Sequence, residues 1–111
     1  MSGATMTVTL NLPETWGKLP EQERNALLRA GVYEATRARV RQLQTEIAEC
    51  KQQLRRFEQQ YGMSFQHFEA EQLPVLDTLQ AHEDYNDWFY WQSVLDDKTR
   101  LLASIHQTKS L

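Results

Sequence analysis

The sequence is poor in the residues that cross-link or interrupt a chain. Its 111 residues include one cysteine, Cys50, three prolines and four glycines. A single cysteine excludes an internal disulfide, so the cytoplasm is the expected compartment. With so few glycines there is no glycine-rich phosphate loop, and no nucleophile-elbow pattern occurs either. The scarcity of proline leaves long stretches of the chain free to be helical.

Membrane and metal signals are missing as well. No apolar run is long enough to span a bilayer, and "MSGATMTVTL" lacks the basic-then-apolar order of a secretory signal. The three histidines, His67, His82 and His106, are far apart, and none has a cysteine or second histidine at metal-ligand spacing. Cys50 falls among apolar positions, which favours a small core residue over a reactive thiolate. We therefore expect a single non-enzymatic domain without metal or cofactor.

Basic residues are absent from the middle of the second half of the chain. The net charge is −3, yet residues 62–97 carry eight Asp and Glu and no Lys or Arg. Residues 21–61, in contrast, carry eight Lys and Arg against six Glu. The acidic stretch is also dense in aromatic residues, as in "YGMSFQHFEAEQLPVLDTLQAHEDYNDWFYW" (61–91). Acids and large aromatics in one segment favour a surface for another protein.

Residues 1–20 are expected to form an N-terminal strand and turn. In "MTVTLNLP" the apolar residues Met6, Val8, Leu10 and Leu12 alternate with polar ones, and Pro13 ends the pattern. This period of two predicts a β-strand. A lone strand leaves its backbone groups unpaired, so it must pair with a second copy, pair with a partner protein, or not form. We favour pairing across a homodimer.

Residues 21–111 are expected to form a helical hairpin. A helix should begin after Pro20 and run to Tyr61, since no proline intervenes and Gly31 is the only weak point. Its second half shows the clearest pattern in the sequence, because apolar residues recur at steps of three and four, which is the seam of a helix packed lengthwise on another. These seam residues are Val40, Leu43, Ile47, Cys50, Leu54, Phe57 and Tyr61.

The return half of the hairpin is expected to start at Asp84. Gly62 suits a helix end, and Ser64 can cap a short helix that Pro74 prevents from continuing. The stretch "VLDTLQAHE" would be a connector that can be partly helical, followed by a helix from about Tyr85 to His106. Its apolar spacing is broken at Lys98. The fold class is thus mainly α, a long antiparallel, coiled-coil-like hairpin with a short N-terminal β-strand that pairs in a dimer.

A hairpin of two helices cannot cover every aromatic residue of the acidic stretch. The four aromatics from Trp88 to Trp91 sweep about 300° around a helix axis, so some of them must face something other than their own core. Large aromatics rimmed by acids suit a basic partner protein. The expected partner-binding residues are Phe65, Phe68, Asp84, Tyr85, Asp87, Trp88 and Trp91. A dimer could instead use this surface for its own association.

Two stretches carry a resemblance to bacterial antitoxins. The alternating strand followed by "ERNALLRAGVYEA" resembles the start of ribbon-helix-helix antitoxins, and this implies that Thr7, Thr9 and Asn11 would face DNA. "RRFEQQYGMSFQHFE" and the Asp84-Tyr85-x-x-Trp88 pattern are similar to small helical prokaryotic proteins of the antitoxin kind. The resemblance implies a non-enzymatic antitoxin that neutralises a basic toxin, often a ribonuclease, and that represses its own operon.

Two other functions stay open on the sequence. The chain could be a structural coiled-coil adaptor without any toxin partner. "RLLASIH" also places Arg100 six residues before His106, which resembles the Arg–x(4–6)–His motif of HEPN-type helical ribonucleases. Six steps along a helix turn the second side chain about 240° from the first, so such a pair would need a helix break or a second copy. Arg37, Arg39 and Arg41 spread over more than one helix face and favour a solvated surface.

Overall fold

A computed structural model describes residues 4–76 and 78–107 of the chain and is mainly helical. The helices are α1 (Glu21–Tyr61), α2 (Phe65–His67) and α3 (Leu79–His106), with a 3-10 turn at Glu14–Lys18 and a π-helical turn at Phe68–Gln72. The chain divides into two compact units, Met1–Glu34 and Ala35–Leu111. None of the described helices is both long and apolar enough to cross a membrane.

The first unit holds the predicted strand segment, which forms no strand in the single chain. Residues 4–13 have neither helical nor strand structure, and the apolar residues Met6, Val8 and Leu10 are exposed. The 3-10 turn follows, and Trp16 donates its backbone N–H to the Pro13 carbonyl. The Arg24 guanidinium donates to the Leu19 carbonyl at 2.7 Å. Because a strand needs a partner for its backbone, pairing in a dimer stays a prediction.

Helix α1 begins and ends where the sequence predicts. Pro20 precedes its first residue, and the helix continues for 41 residues without a break at Gly31. It ends at Tyr61 because Gly62 adopts a positive φ of 68°, which a residue with a side chain adopts only with strain. The predicted seam is confirmed: Leu43, Cys50 and Leu54 are buried, and the other seam residues are half-buried.

The loop after α1 also follows the sequence prediction. The Ser64 hydroxyl accepts the backbone N–H of His67 at 3.2 Å and so caps α2. The chain then widens into the π-helical turn, in which the Leu73 N–H donates to the Phe68 carbonyl at 2.9 Å. Pro74 follows directly. This short segment positions Phe65 and Phe68 in the core.

The predicted start of the last helix is wrong by six residues. Helix α3 begins at Leu79, and Thr78 caps it by accepting the Ala81 N–H at 3.1 Å. Residues 79–83 are therefore helical, so the second part of the expected connector belongs to α3. Asp84 lies inside α3, where it is buried and accepts side-chain hydrogen bonds instead of capping the helix. Threonine is also a favourable N-cap residue, although aspartate ranks slightly above it, and the burial of Asp84 in the core decides which residue caps α3.

Helices α1 and α3 pack antiparallel as a hairpin, as the seam predicts. Near the loop, Tyr61 of α1 bonds Asp84 of α3, and further along Glu46 bonds Lys98. The core between them is aromatic and lies at the loop end of the hairpin. Its buried members are Leu54, Phe65, Phe68, Ala81 and Trp88.

Lys98 explains the break in the apolar spacing of α3. Its ammonium lies 2.6 Å from a Glu46 carboxylate oxygen on α1, and the Arg39 guanidinium lies 3.4 Å from the other oxygen. The Lys98 hydrogen bond is the main cause that lowers the pKa of Glu46. The side chains are partly exposed, so the bridge contributes little stability and mainly sets the register of the hairpin. Burial raises the pKa of the neighbouring Cys50 thiol, which is thereby kept unreactive.

Candidate partner-binding surface

The aromatic run of α3 is divided between the core and the surface. Trp88 is fully buried, whereas Phe89 and Tyr90 are 51% and 58% exposed. Trp91 is half-buried, and its ring lies 5.3 Å from that of Tyr90. The helix turns 100° per residue, so four consecutive aromatics cannot share one buried face. The uncovered pair is therefore a fixed feature of the α3 surface.

The residues predicted to bind a partner do not share one accessible surface in this conformation. Phe65, Phe68, Asp84 and Trp88 are buried inside the hairpin. The other three offer side-chain surface: Tyr85 and Trp91 are half-buried, and Asp87 is exposed. Their role in binding stays a prediction. The exposed aromatics next to them, Phe89 and Tyr90, are absent from the predicted set. Each helical residue is rotated 100° from the previous one, and this rotation could have identified Phe89 and Tyr90 as surface residues once Trp88 was assigned to the core.

Asp84 is the one buried charged residue among the described parts of the chain. Its carboxylate accepts hydrogen bonds from the Tyr61 hydroxyl, from the Gln60 amide at 3.0 Å and from the Gln80 amide at 2.9 Å. All three donors are neutral. None of the ion pairs found within residues 4–76 and 78–107 includes this carboxylate. Asp84 thus ties the end of α1 to the start of α3 without a cation.

Burial and Asp84 together raise the pKa of the Tyr61 hydroxyl to about 12. Burial is the larger cause, because it disfavours the phenolate, and the hydrogen bond and charge of Asp84 act in the same direction. A pKa raised on folding means that the unfolded chain loses this proton first. The stability that the neutral hydroxyl supplies is therefore complete below pH 10 and is lost as the pH rises through about 12.

We expect Tyr61→Phe to reduce the loss in the free energy of unfolding at alkaline pH. Wild-type protein should lose free energy of unfolding between pH 10 and 12 as Tyr61 ionises beside Asp84, and the variant should lose less over that range. Urea unfolding followed by circular dichroism at several pH values measures this difference. The matched control is Tyr90→Phe, which removes a hydroxyl group from an exposed position of α3 and should keep the wild-type alkaline slope. Equal alkaline slopes for wild type and Tyr61→Phe would contradict the assignment.

A second tyrosine braces the loop against α3. The Tyr85 hydroxyl donates to a Glu69 carboxylate oxygen at 2.6 Å, and this bond is the main cause that raises the pKa of Tyr85. The Tyr85 ring stacks on Phe65 at 5.6 Å between centroids. The His67 Nε2 lies 2.7 Å from a Glu71 carboxylate oxygen within the same loop. These contacts fix acidic side chains on the loop beside the aromatic face of α3.

A cavity opens between α1 and α3 next to Asp84. Its volume is about 300 Å³. Asp84, Asp87 and Trp91 lie three and four residues apart, so they form one stripe of α3 that faces the cavity. The matching stripe of α1 consists of Gln53, Arg56, Phe57 and Gln60.

The remaining predicted residues lie elsewhere. Thr7, Thr9 and Asn11 are exposed in the segment without regular structure, and their contact with DNA stays a prediction. On α3, Arg100 pairs with Asp97 of the same helix, and His106 is the last helical residue. Helix α3 is unbroken between Arg100 and His106, so pairing these two side chains would need a second copy of the chain.

Metal ligands do not converge in the described part of the chain, where no three His, Cys, Asp or Glu side chains could hold an ion together. The histidines lie apart: His67 is in the loop after α1, His82 near the start of α3 and His106 at its end. Comparison with protein-family models, with characterised proteins and with solved structures finds no match for this chain.

Proposed function

We propose that the chain acts by binding a basic protein, and that it is the antitoxin of a bacterial toxin–antitoxin pair whose toxin is a ribonuclease. The observation that supports this most is the uncovered pair Phe89 and Tyr90 on α3, within residues 62–97, which carry eight Asp and Glu and no Lys or Arg. The antitoxin role itself rests on the sequence resemblance. Binding, not catalysis, is the activity proposed.

The chemistry of the α3 surface suits such a partner. A few residues, enriched in Trp, Tyr and Arg, supply most of the binding energy of protein interfaces, and a rim of acids accelerates the approach of a basic partner. Glu83 and Asp87 are exposed on the same helix, and Glu69 is held nearby by Tyr85. A ribonuclease toxin is basic where it holds RNA, so a carboxylate-rich surface can occupy the place of phosphates.

Co-expression with the product of the neighbouring reading frame tests the proposal. We expect a complex that survives purification and that rescues growth of cells producing the neighbour. The double variant Phe89→Ala, Tyr90→Ala should lose both, because it removes the uncovered aromatic area while leaving Trp88 in the core. Its melting temperature serves as the control for folding. Absence of any complex and of any rescue with wild-type protein would contradict the antitoxin role.

The N-terminal segment would add dimerisation and DNA binding to this role. Met6, Val8 and Leu10 are uncovered in the single chain, and the backbone of this segment lacks the ladder partners that a strand requires. We propose that two copies pair here in an antiparallel ribbon. Thr7, Thr9 and Asn11 would then face operator DNA, as in the antitoxins that the sequence resembles. The mass of the purified complex reports on the pairing.

A structural adaptor is the second candidate. The aromatic residues Phe57, Tyr61, Phe65, Phe68 and Trp88 pack on one another inside the hairpin, which supports a role that is complete without a foreign protein. An adaptor would assemble with itself when purified without the neighbour, and its assembly would not change when the neighbour is added. The same co-expression experiment therefore separates the two functions.

A further inference from the structure

The cavity between α1 and α3 has the composition of a receptor for a single cation. Its α3 side carries two carboxylates, Asp84 and Asp87, and its α1 side carries one guanidinium, that of Arg56. The formal charge of the lining is therefore −1. Trp91 supplies an aromatic wall. We infer that this cavity receives one arginine side chain of the basic partner protein, an inference that rests on the proposed function and adds a contact to it.

The two carboxylates differ in burial and in hydrogen bonding, and both differences favour the binding of a cation. Asp84 is 8% exposed and accepts hydrogen bonds from three neutral donors, and none of the ion pairs of the described residues includes its carboxylate. Asp87 is exposed and takes part in no ion pair or hydrogen bond within the described ranges. The first carboxylate is fixed and desolvated, and the second is free to accept a donor. A buried charge without a counter-ion raises the local affinity for a cation.

Arginine fits these walls better than lysine does. The guanidinium is planar, so it can donate two parallel hydrogen bonds to the Asp87 carboxylate while its face stacks on the Trp91 indole. Gln53 and Gln60 line the opposite side, where Gln53 already accepts from Arg56 at 3.0 Å. Arg56 therefore has a hydrogen-bond partner on its own helix, and Asp87 and Trp91, one turn apart on α3, can contact a side chain from outside. The methylene groups of that side chain would contact Phe57.

The test uses a capped Gly-Arg-Gly peptide as the probe and the full chain without any partner. The indole N–H signal of Trp91 in a nitrogen–proton correlation spectrum, assigned with Trp91→Phe, should shift and saturate at millimolar peptide. A Gly-citrulline-Gly peptide has the same shape without the charge and should cause no shift. An equal response to citrulline, or an equal response to a lysine peptide, would overturn the assignment of arginine.

A matched pair of variants locates the contact. Asp87→Asn should weaken peptide binding about tenfold, because it removes the charge-assisted hydrogen bonds, and it should fold normally because Asp87 is exposed. Asp96→Asn makes the same substitution at an exposed position of α3 outside the cavity and should leave binding unchanged. Unchanged binding by Asp87→Asn, or equal losses in both variants, would overturn the inference.

The peptide experiment and the co-expression experiment can contradict the cavity assignment and the proposed function independently of each other. If the chain binds the neighbouring gene product but Trp91 does not respond to the arginine peptide, the cavity assignment is wrong and the proposed function holds. If the peptide binds through Asp87 but no complex forms, the cavity assignment holds and the proposed partner is wrong.

Discussion

Replacing Trp88 by alanine is expected to lower the free energy of unfolding by about 3–5 kcal/mol. Trp88 is fully buried, and its ring lies between those of Phe57 on α1 at 5.5 Å and Phe68 in the loop at 5.2 Å. Removing the indole would leave a cavity where α1, α3 and the loop meet. A small domain has only about 5–15 kcal/mol of stability in total, so this one change removes a large share of it.

Phe89→Ala is the matched control for Trp88→Ala. Phe89 is the next residue of the same helix, but it is half exposed, so its truncation should cost about 1 kcal/mol. Urea unfolding followed by circular dichroism measures both variants, and far-ultraviolet spectra at low urea report whether the helices persist. Equal losses would show that the aromatic run is not divided between core and surface. A stable Trp88→Ala protein that fails to bind its partner would assign Trp88 to the interface.

This pair of variants separates two uses of the aromatic residues that the sequence cannot distinguish. Stability should follow Trp88, and binding of the neighbouring gene product should follow Phe89 and Tyr90. The interface that we propose lies about a third of a turn around α3 from the buried Trp88. Trp91, which is half-buried beside the cavity, lies between the two sets.

The hairpin could be predicted because its pattern is local and repeated. Steps of three and four from Val40 to Tyr61 specify one apolar face of α1, and Gly62 and Ser64 supply a helix end and a cap that act within a few residues. The fully buried positions Leu43 and Cys50 fall on that seam. Such signals need no knowledge of the partner helix, and for that reason they are visible in one sequence.

The site could not be predicted because it depends on contacts across the hairpin. Asp84 has the composition of a helix cap, and only the position of Tyr61 and Gln60 on α1 makes it a buried acceptor, while Thr78 caps the helix instead. Lys98 likewise interrupts the apolar spacing of α3, and its role is explained only by its ion pair with Glu46 on α1. For both Asp84 and Lys98, a residue 23 or more positions away decides the role.

The N-terminal segment shows a different limit. Its alternation is the local signature of a strand, but a strand is completed only by hydrogen bonds to another one, and the single chain offers none in the described residues. The pattern of Met6, Val8 and Leu10 therefore predicts a structure that depends on association. Helices satisfy their own backbone groups, so the same uncertainty does not arise for α1 or α3.

Replacing Leu54 by aspartate is expected to unfold the hairpin, with a loss of about 4 kcal/mol or more. Leu54 is buried on the α1 seam and belongs to the same cluster as Trp88 and Phe68, so a carboxylate there would lie in an apolar, aromatic environment without a donor. Asp84 is tolerated nearby only because three side chains donate to it. Gln52→Asp introduces the same charge two residues earlier on the exposed face and should cost less than about 1 kcal/mol. Calorimetry of both variants measures the difference, and a cooperative wild-type-like transition in Leu54→Asp would mean that α1 and α3 do not pack through this seam.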